Sequence, residues 1–513
     1  MAESKLPRVR QARLAIAGFG CNQAFLLTML YLGSFNEGAA HGFFVDRADL
    51  LCVLCAMAVT FAAMASRGAR GRLMAAADGL VRLYAAPLVL ALIVLVAVRI
   101  LCPGIPWVVF AVLEGLVAGV PLALLLCLWG RVLGAASIDQ SVPEVFIGSA
   151  LGAAACFFVV AIPFPDAYLV LYLLPLGSAA ALRRLDEGKP TRTAVSAPVD
   201  APQSSPMSAD APAPKGTATG TDEGTAPSAE ASKLSGRILG GTVVYGVATG
   251  AIEALAASAA PSAYTSLSVT FVLFVLYCAA ALQLYGGKPL SPGVRAVLPT
   301  GPDQDTGPLG GAYRLAILLM VGGFVAVPLL ESVGVSGVAV VLAGYLGVFS
   351  VLISLFLVMG RISGHGTVRS FARGLGALFA GEIAGMCLGG GIGALPGTFD
   401  ASAAMVALAG IAVLYAYLFL FTDRDMASLS VVVAQTDRFE EACARIAKEA
   451  RLSKRETEIL PLALRGRTAE RIASEFFISK NTVDTHLRRI YAKCGVHTRQ
   501  ELIDLGERTE AEL

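Results

Sequence analysis

Apolar residues arrive in runs of about 20, the length that carries a helix across a bilayer, from residue 14 to residue 421. The runs predict spans at 14–33, 48–65, 80–100, 106–130, 145–162 and 167–182, then at 237–259, 264–284, 313–331, 336–358, 375–395 and 403–421. That is twelve spans in two groups of six, parted by a polar interval. Beyond residue 421 the pattern changes to short stripes with helical spacing, in which apolar positions alternate with charged ones. The expected fold class is all-α: a polytopic membrane helix bundle of 6+6 spans followed by a small four-helix soluble domain.

Polar intervals divide the chain further. Residues 186–236 are rich in Pro, Ala, Ser and Thr up to 233, with almost no large apolar side chain. Such a stretch buries too little surface to offset its ordering entropy, and it predicts a disordered linker. A second Gly/Pro-rich loop covers 286–312. The expected units are therefore 1–185 and 237–421 as two membrane halves, 422–451 as a connector, and 452–513 as the soluble domain.

Composition supports this division. With 56% hydrophobic and 15% charged residues among 513, the chain departs from soluble domains, in which about a quarter of residues are charged. Eight of the ten cysteines lie within or at the ends of apolar runs, where they act as small hydrophobes rather than as a disulfide framework. The run Leu14–Leu32 is longer than the apolar core of a signal peptide, so the N-terminus reads as an uncleaved first span.

Basic residues set the expected orientation. They gather before the first span, after the second (Arg67, Arg70, Arg72), after the sixth (Arg183, Arg184) and after the tenth (Arg361, Arg369, Arg373). An even span count then puts both termini on the cytoplasmic side. Two six-span halves joined by a long cytoplasmic linker resemble the major facilitator architecture. The loop Ser66-Arg67-Gly68-Ala69-Arg70-Gly71-Arg72 keeps the arginines and glycines of that family's loop motif but lacks its acidic residue.

In the soluble domain, Ser453 with Glu456 makes a capping box that opens a helix carrying Ile459, Leu460 and Leu464; Gly466 stops it. Pro461 is expected to bend that helix. Thr468 caps a second helix with Ile472, Ala473 and Phe476, and Ser479 caps a third. On the third, Val483, Leu487, Ile490 and Tyr491 share one face, and Asn481, Asp484, Thr485 and Arg488 the other. Short polar and cationic side chains of this kind suit base edges in a major groove. Thr498 and Glu501 open a fourth helix bearing Leu502, Ile503 and Leu505.

These residues resemble the LuxR-type (NarL/FixJ-type) DNA-binding domain: the Ser-x-Arg-Glu start, the glycine turn, Ile478-Ser479 with Thr482-Val483 and a following His486, and Lys493-x-Gly495-Val496-x-x-Arg499. The resemblance implies that the third helix enters the major groove of double-stranded promoter DNA and that the fourth, through Leu502, Ile503 and Leu505, joins two copies. It implies bases facing Asp484, Thr485 and Arg488, and phosphates near Ser479, Thr482 and Lys493. Lys480, Asn481 and Arg489 complete the expected DNA face. The family carries Lys where Asp484 stands and Asn-Lys where Ala469-Glu470 stand. Residues 437–513 hold 15 Lys/Arg against 14 Asp/Glu, so the basic excess is local, at Lys480, Arg488, Arg489 and Lys493.

Inside the spans, ionisable and amide side chains are costly and mark partners or ligands. Asn22, Gln23, Glu114, Glu253 and Glu382 are the candidate ligand-binding residues. Gly381, Gly385, Gly389 and Gly393 recur every fourth residue and predict close helix packing. No catalytic constellation, metal set or cofactor motif is evident. A twelve-span domain with a LuxR-type tail resembles membrane-embedded one-component transcription regulators of bacteria. That resemblance implies the cytoplasmic membrane, a small-molecule effector, and no enzymatic activity. The alternative is a major-facilitator-like transporter with a regulatory tail, and a membrane scaffold whose tail binds a protein is the third.

Overall fold

The structure is a computed structural model, which describes residues 8–32, 47–102, 104–160, 166–187, 226–256, 263–285, 307–332, 337–362, 366–393, 401–422, 425, 438–439, 441–476 and 478–512. Every regular element among them is helical. In the apolar part these are α1 (Arg8–Leu27, continued by a wider π-turn Thr28–Leu32), α2 (Arg47–Ala65), α3 (Arg67–Arg82), α4 (Ala86–Leu101) and α5 (Trp107–Glu114). A π-turn Gly115–Gly119 joins α5 to α6 (Val120–Leu133), after which come α7 (Ile138–Val160) and α8 (Asp166–Glu187). The second half holds α9 (Ala226–Ala256), α10 (Ala263–Tyr285), α11 (Gly307–Ser332), α12 (Gly337–Ile362), α13 (Thr367–Gly393) and α14 (Ala401–Tyr415, with π-turn Ala416–Leu420).

Each of the twelve expected spans falls on a helix, but by length and composition seven of the described helices suffice to cross a membrane, or eight if the bent pair α2–α3 is one span. The third expected span is corrected. The chain turns by 117° after α2, and Ser66 caps the added helix α3 by accepting from the Ala69 N–H at 3.4 Å. Pro87, which lacks a donor, stands in the first turn of a new helix, where no intrahelical N–H bond is lost. The new helix α4 accordingly starts at Ala86, after Tyr84 and Ala85 take left-handed conformations. The arginine-rich loop is thus helical, and Asp78 further along α3 pairs with Arg131 of α6 at 2.7 Å.

Helix α9 starts at Ala226, ten residues before the expected end of the linker, and α8 runs on to Glu187. The rest of that expected linker, like most of loop 286–312, lies outside the described residues.

Packing repeats between the halves. The first and fifth spans of each half lie together, α1 on α7 and α9 on α13, while α2 meets α13 and α7 meets α10 across the halves. Glycine makes the tightest of these contacts: a Cβ on Gly250 would stand 2.0 Å from the Glu382 carbonyl oxygen, and one on Gly385 2.1 Å from that of Val247. Gly381 and Gly389 abut Val243, Ala251 and Ala254 in the same seam. The four-residue glycine repeat therefore serves packing, through its first three members.

Two apolar cores result. One runs through the bundle; the other belongs to the C-terminal helices α15 (Lys454–Leu464), α16 (Ala469–Phe476), α17 (Lys480–Cys494) and α18 (Arg499–Ala511). Residues 441–449 are also helical and put Cys443 and Ile446 into this second core. The connector helix is thereby a fifth helix of the soluble domain, tied further by Arg445 to Glu512 at 3.2 Å and by Arg465 over the Phe439 ring at 4.7 Å.

Candidate functional site

The C-terminal helices begin where their caps dictate. Ser453 accepts from the Glu456 N–H at 3.5 Å while Glu456 Oε2 accepts from the Ser453 N–H at 2.7 Å, closing the capping box. Helix α15 continues through Pro461 to Leu464 and ends at Gly466, whose φ of +71° a glycine adopts without strain. Thr468, Ser479 and Thr498 accept from the N–H groups of Arg471 (3.3 Å), Thr482 (3.1 Å) and Glu501 (3.2 Å).

This frame fixes α17. Val483 and Ile490 are buried in the core and Leu487 and Tyr491 pack against it. Ser479, Lys480, Asn481, Thr482, Thr485, Arg488 and Arg489 remain exposed, with Asp484 half-buried beside them. The described faces agree with the expected division of the helix into a core side and an exposed side. An exposed helix start bearing amide, hydroxyl and guanidinium groups is a stereochemical fit to a major groove.

Two cations of this set are engaged within the domain. Lys480 pairs with Glu470 at 2.5 Å, which holds the Glu470 carboxyl below its ordinary range and raises the Lys480 ammonium. Lys493 reaches Oε2 of the buried Glu456 at 2.7 Å. Burial opposes ionisation of Glu456, but the Lys493 ammonium and the Ser453 N–H outweigh it and bring the carboxyl down to about 2. Lys493 is thus a structural cation in this state, placed behind the helix cap.

The fourth helix divides its apolar residues. Leu502 is 0% exposed in the domain's own core and Leu505 packs against that core. Of the three residues expected at an interface between copies, Leu502 is therefore corrected to a core residue, because its side chain is already enclosed by its own chain. Ile503 is half-buried at the surface.

Residues 450–505 match the family model for bacterial regulatory proteins of the luxR family (GerE). This stretch is a LuxR-type helix-turn-helix domain. The LuxR-type domain is similar to the oxygen regulatory protein NreC of Staphylococcus aureus strains JH9 and NCTC 8325, each 43% identical over 53 residues. The match covers 10% of this chain and 24% of those proteins, so the chain spans about a quarter of the length of the curated relatives it matches. Over 80% of this chain and 100% of the other, the structure is similar to the crystal structure of the human organic anion transporter MFSD10 (TETRAN), at 15% identity and a TM-score of 0.42.

In the membrane part, the five candidate polar residues are all buried. Asn22 and Gln23 lie on α1, with the Gln23 Cβ against Gly152 of α7, and both Asn22 amide atoms lack hydrogen-bond partners among the described residues. Glu114 ends α5 at the edge of a π-turn. Glu253 of α9 and Glu382 of α13 are brought together, and two residues the sequence did not single out, Tyr31 and Tyr345, join them. A tyrosine inside an apolar run carries no signal that separates a ligand from a packing residue.

Proposed function

We propose that the chain is a membrane-embedded one-component transcription regulator of the bacterial cytoplasmic membrane, with both termini in the cytoplasm. In this reading the LuxR-type domain binds promoter DNA as a homodimer. The units 1–185 and 237–421 form a twelve-span sensor for a small molecule, which acts through the connector 422–451. Its effector would bind two conformations of the bundle unequally, since only that difference shifts an equilibrium.

The single observation that carries the reading is the exposed start of α17, with Asn481, Thr485 and Arg488 open to solvent on a separately cored domain. Genome-wide occupancy of the full-length protein beside its Arg488→Ala variant tests it. Discrete peaks that vanish in the variant are the expected result. A wild-type protein without discrete peaks, whatever inducers are supplied, overturns it.

A further inference from the structure

Four buried side chains from four helices meet inside the bundle. Tyr345 of α12 donates to Oε2 of Glu382 on α13 at 3.0 Å. Glu253 of α9 lies close enough to Glu382, and to Tyr31 on the π-turn of α1, for their charges to act on one another. Their exposures are 0% for Glu382, 5% for Glu253, 3% for Tyr31 and 2% for Tyr345. Oε1 of Glu382 has no hydroxyl or N–H donor among the described residues. Among these residues the groups that act on Glu382 are Glu253 and Tyr345, with no arginine or lysine.

Two neighbouring carboxylates in a low-dielectric interior cannot both carry charge. One of them therefore holds a proton, or the two share one. The seam around them has no slack, since Gly250 of α9 already touches the backbone of Glu382. Repulsion between the two acids would therefore displace whole helices rather than side chains.

Helix α9 also grips the exit toward the DNA-binding tail. Two turns before Glu253, Tyr245 Oη meets Tyr313 Oη at 2.5 Å, and Tyr313 donates to the Phe421 carbonyl at 2.9 Å. Nearer the helix start, Arg237 pairs with Asp425 at 3.3 Å and donates to the Phe419 carbonyl at 3.1 Å. Phe419 and Phe421 close the last helix of the bundle, and Asp425 lies at the start of the connector. Helix α9 thus bears Glu253, one acid of the pair, and holds the point where the chain leaves the bundle.

We infer that Glu253 and Glu382 form a single proton-binding site whose occupancy sets the position of α9 and so the DNA affinity of the tail. The inference rests on the regulator reading above and names its effector class. The proton comes from the aqueous phase and returns to it. With the proton bound, the two acids share it and α9 stays on α13; without it, like charges part the helices and loosen the grip on Phe421 and Asp425.

The test uses full-length protein in lipid nanodiscs, titrated with pH alone as the probe and read by affinity for a DNA site drawn from the occupancy peaks. Infrared difference spectra of the same samples report the protonated carboxyl stretch. Wild type is expected to lose that band as pH rises and to change DNA affinity by about fivefold or more over the same interval. Glu253→Gln and Glu382→Gln should remove the pH-dependent band and flatten the affinity curve. Tyr345→Phe, which keeps both acids, should displace the midpoint without abolishing the transition, and so guards against misfolding of the glutamine variants. A pH response unchanged in both glutamine variants, or no carboxyl band in wild type, overturns the inference while DNA recognition stands. Loss of specific binding at every pH in wild type is the separate failure of the regulator reading.

Discussion

Lys493 Nζ lies 2.7 Å from Oε2 of Glu456, a carboxylate that is itself 2% exposed and also accepts from the Ser453 N–H at 2.7 Å. One acid therefore closes the cap of α15 and anchors the last turn of α17, so two helices of the LuxR-type domain share a single charge.

Acid should expose that dependence. The Glu456 carboxyl is held at about 2 against an ordinary 4.5. A depressed value contributes stability that is present above 4.5 and is lost as pH falls from 4.5 through about 2. Screening at the half-exposed Lys493 reduces the contribution to the order of 2 kcal/mol. Urea unfolding of residues 437–513 at pH 7 and pH 3 should show that loss in wild type and little of it in Glu456→Gln. Lys493→Met should destabilise the domain by about 2–3 kcal/mol at pH 7, because it leaves a buried carboxylate unpaired.

Asp484 places an anion on the exposed side of α17. Asp484→Lys is expected to raise affinity for unrelated DNA and to steepen the slope of log K against log salt by about 1, the effect of one added phosphate contact. Fluorescence anisotropy at several salt concentrations reads both. A slope equal to that of wild type would place residue 484 away from the phosphates.

Leu502 and Ile503 are neighbours in sequence with opposite surroundings. Leu502→Ala should cost about 2–5 kcal/mol, the range for truncating an enclosed leucine. Ile503→Asp should leave stability within about 0.5 kcal/mol, as for ordinary surface changes, and lower cooperative binding to paired half-sites. Thermal unfolding and a gel-shift titration separate the two. Unaltered cooperativity in Ile503→Asp would remove the fourth helix from the contact between copies.

The glycine seam makes its own claim. A Cβ at Gly250 would meet the Glu382 carbonyl oxygen at 2.0 Å, whereas one at Gly391 meets nothing within 4 Å. Gly250→Ala should lower the melting temperature of the purified full-length protein in detergent and its yield in membranes. Gly391→Ala, farther along the same helix as Glu382, should match wild type.

What the sequence by itself determined was everything governed by short range. Helix starts at Ser453, Thr468, Ser479 and Thr498 were legible because a cap acts on an N–H group three residues away. The helices of the apolar part were legible because bilayer thickness imposes a length on apolar runs, though only seven or eight of those described are long and apolar enough to cross it; the core face of α17 was legible because its period matches the helix. The same logic failed at residues 80–100, where hydropathy outweighed the local rule that Pro87 belongs in a first turn. Tertiary structure decided what depends on partners distant along the chain. Lys493 found Glu456, Leu502 turned inward, and Tyr31, Glu253, Tyr345 and Glu382 converged from four helices. Such meetings follow from which helices pack and in what register, and the backbone contact of Gly250 with Glu382 sets that register through space, where no spacing along the sequence records it.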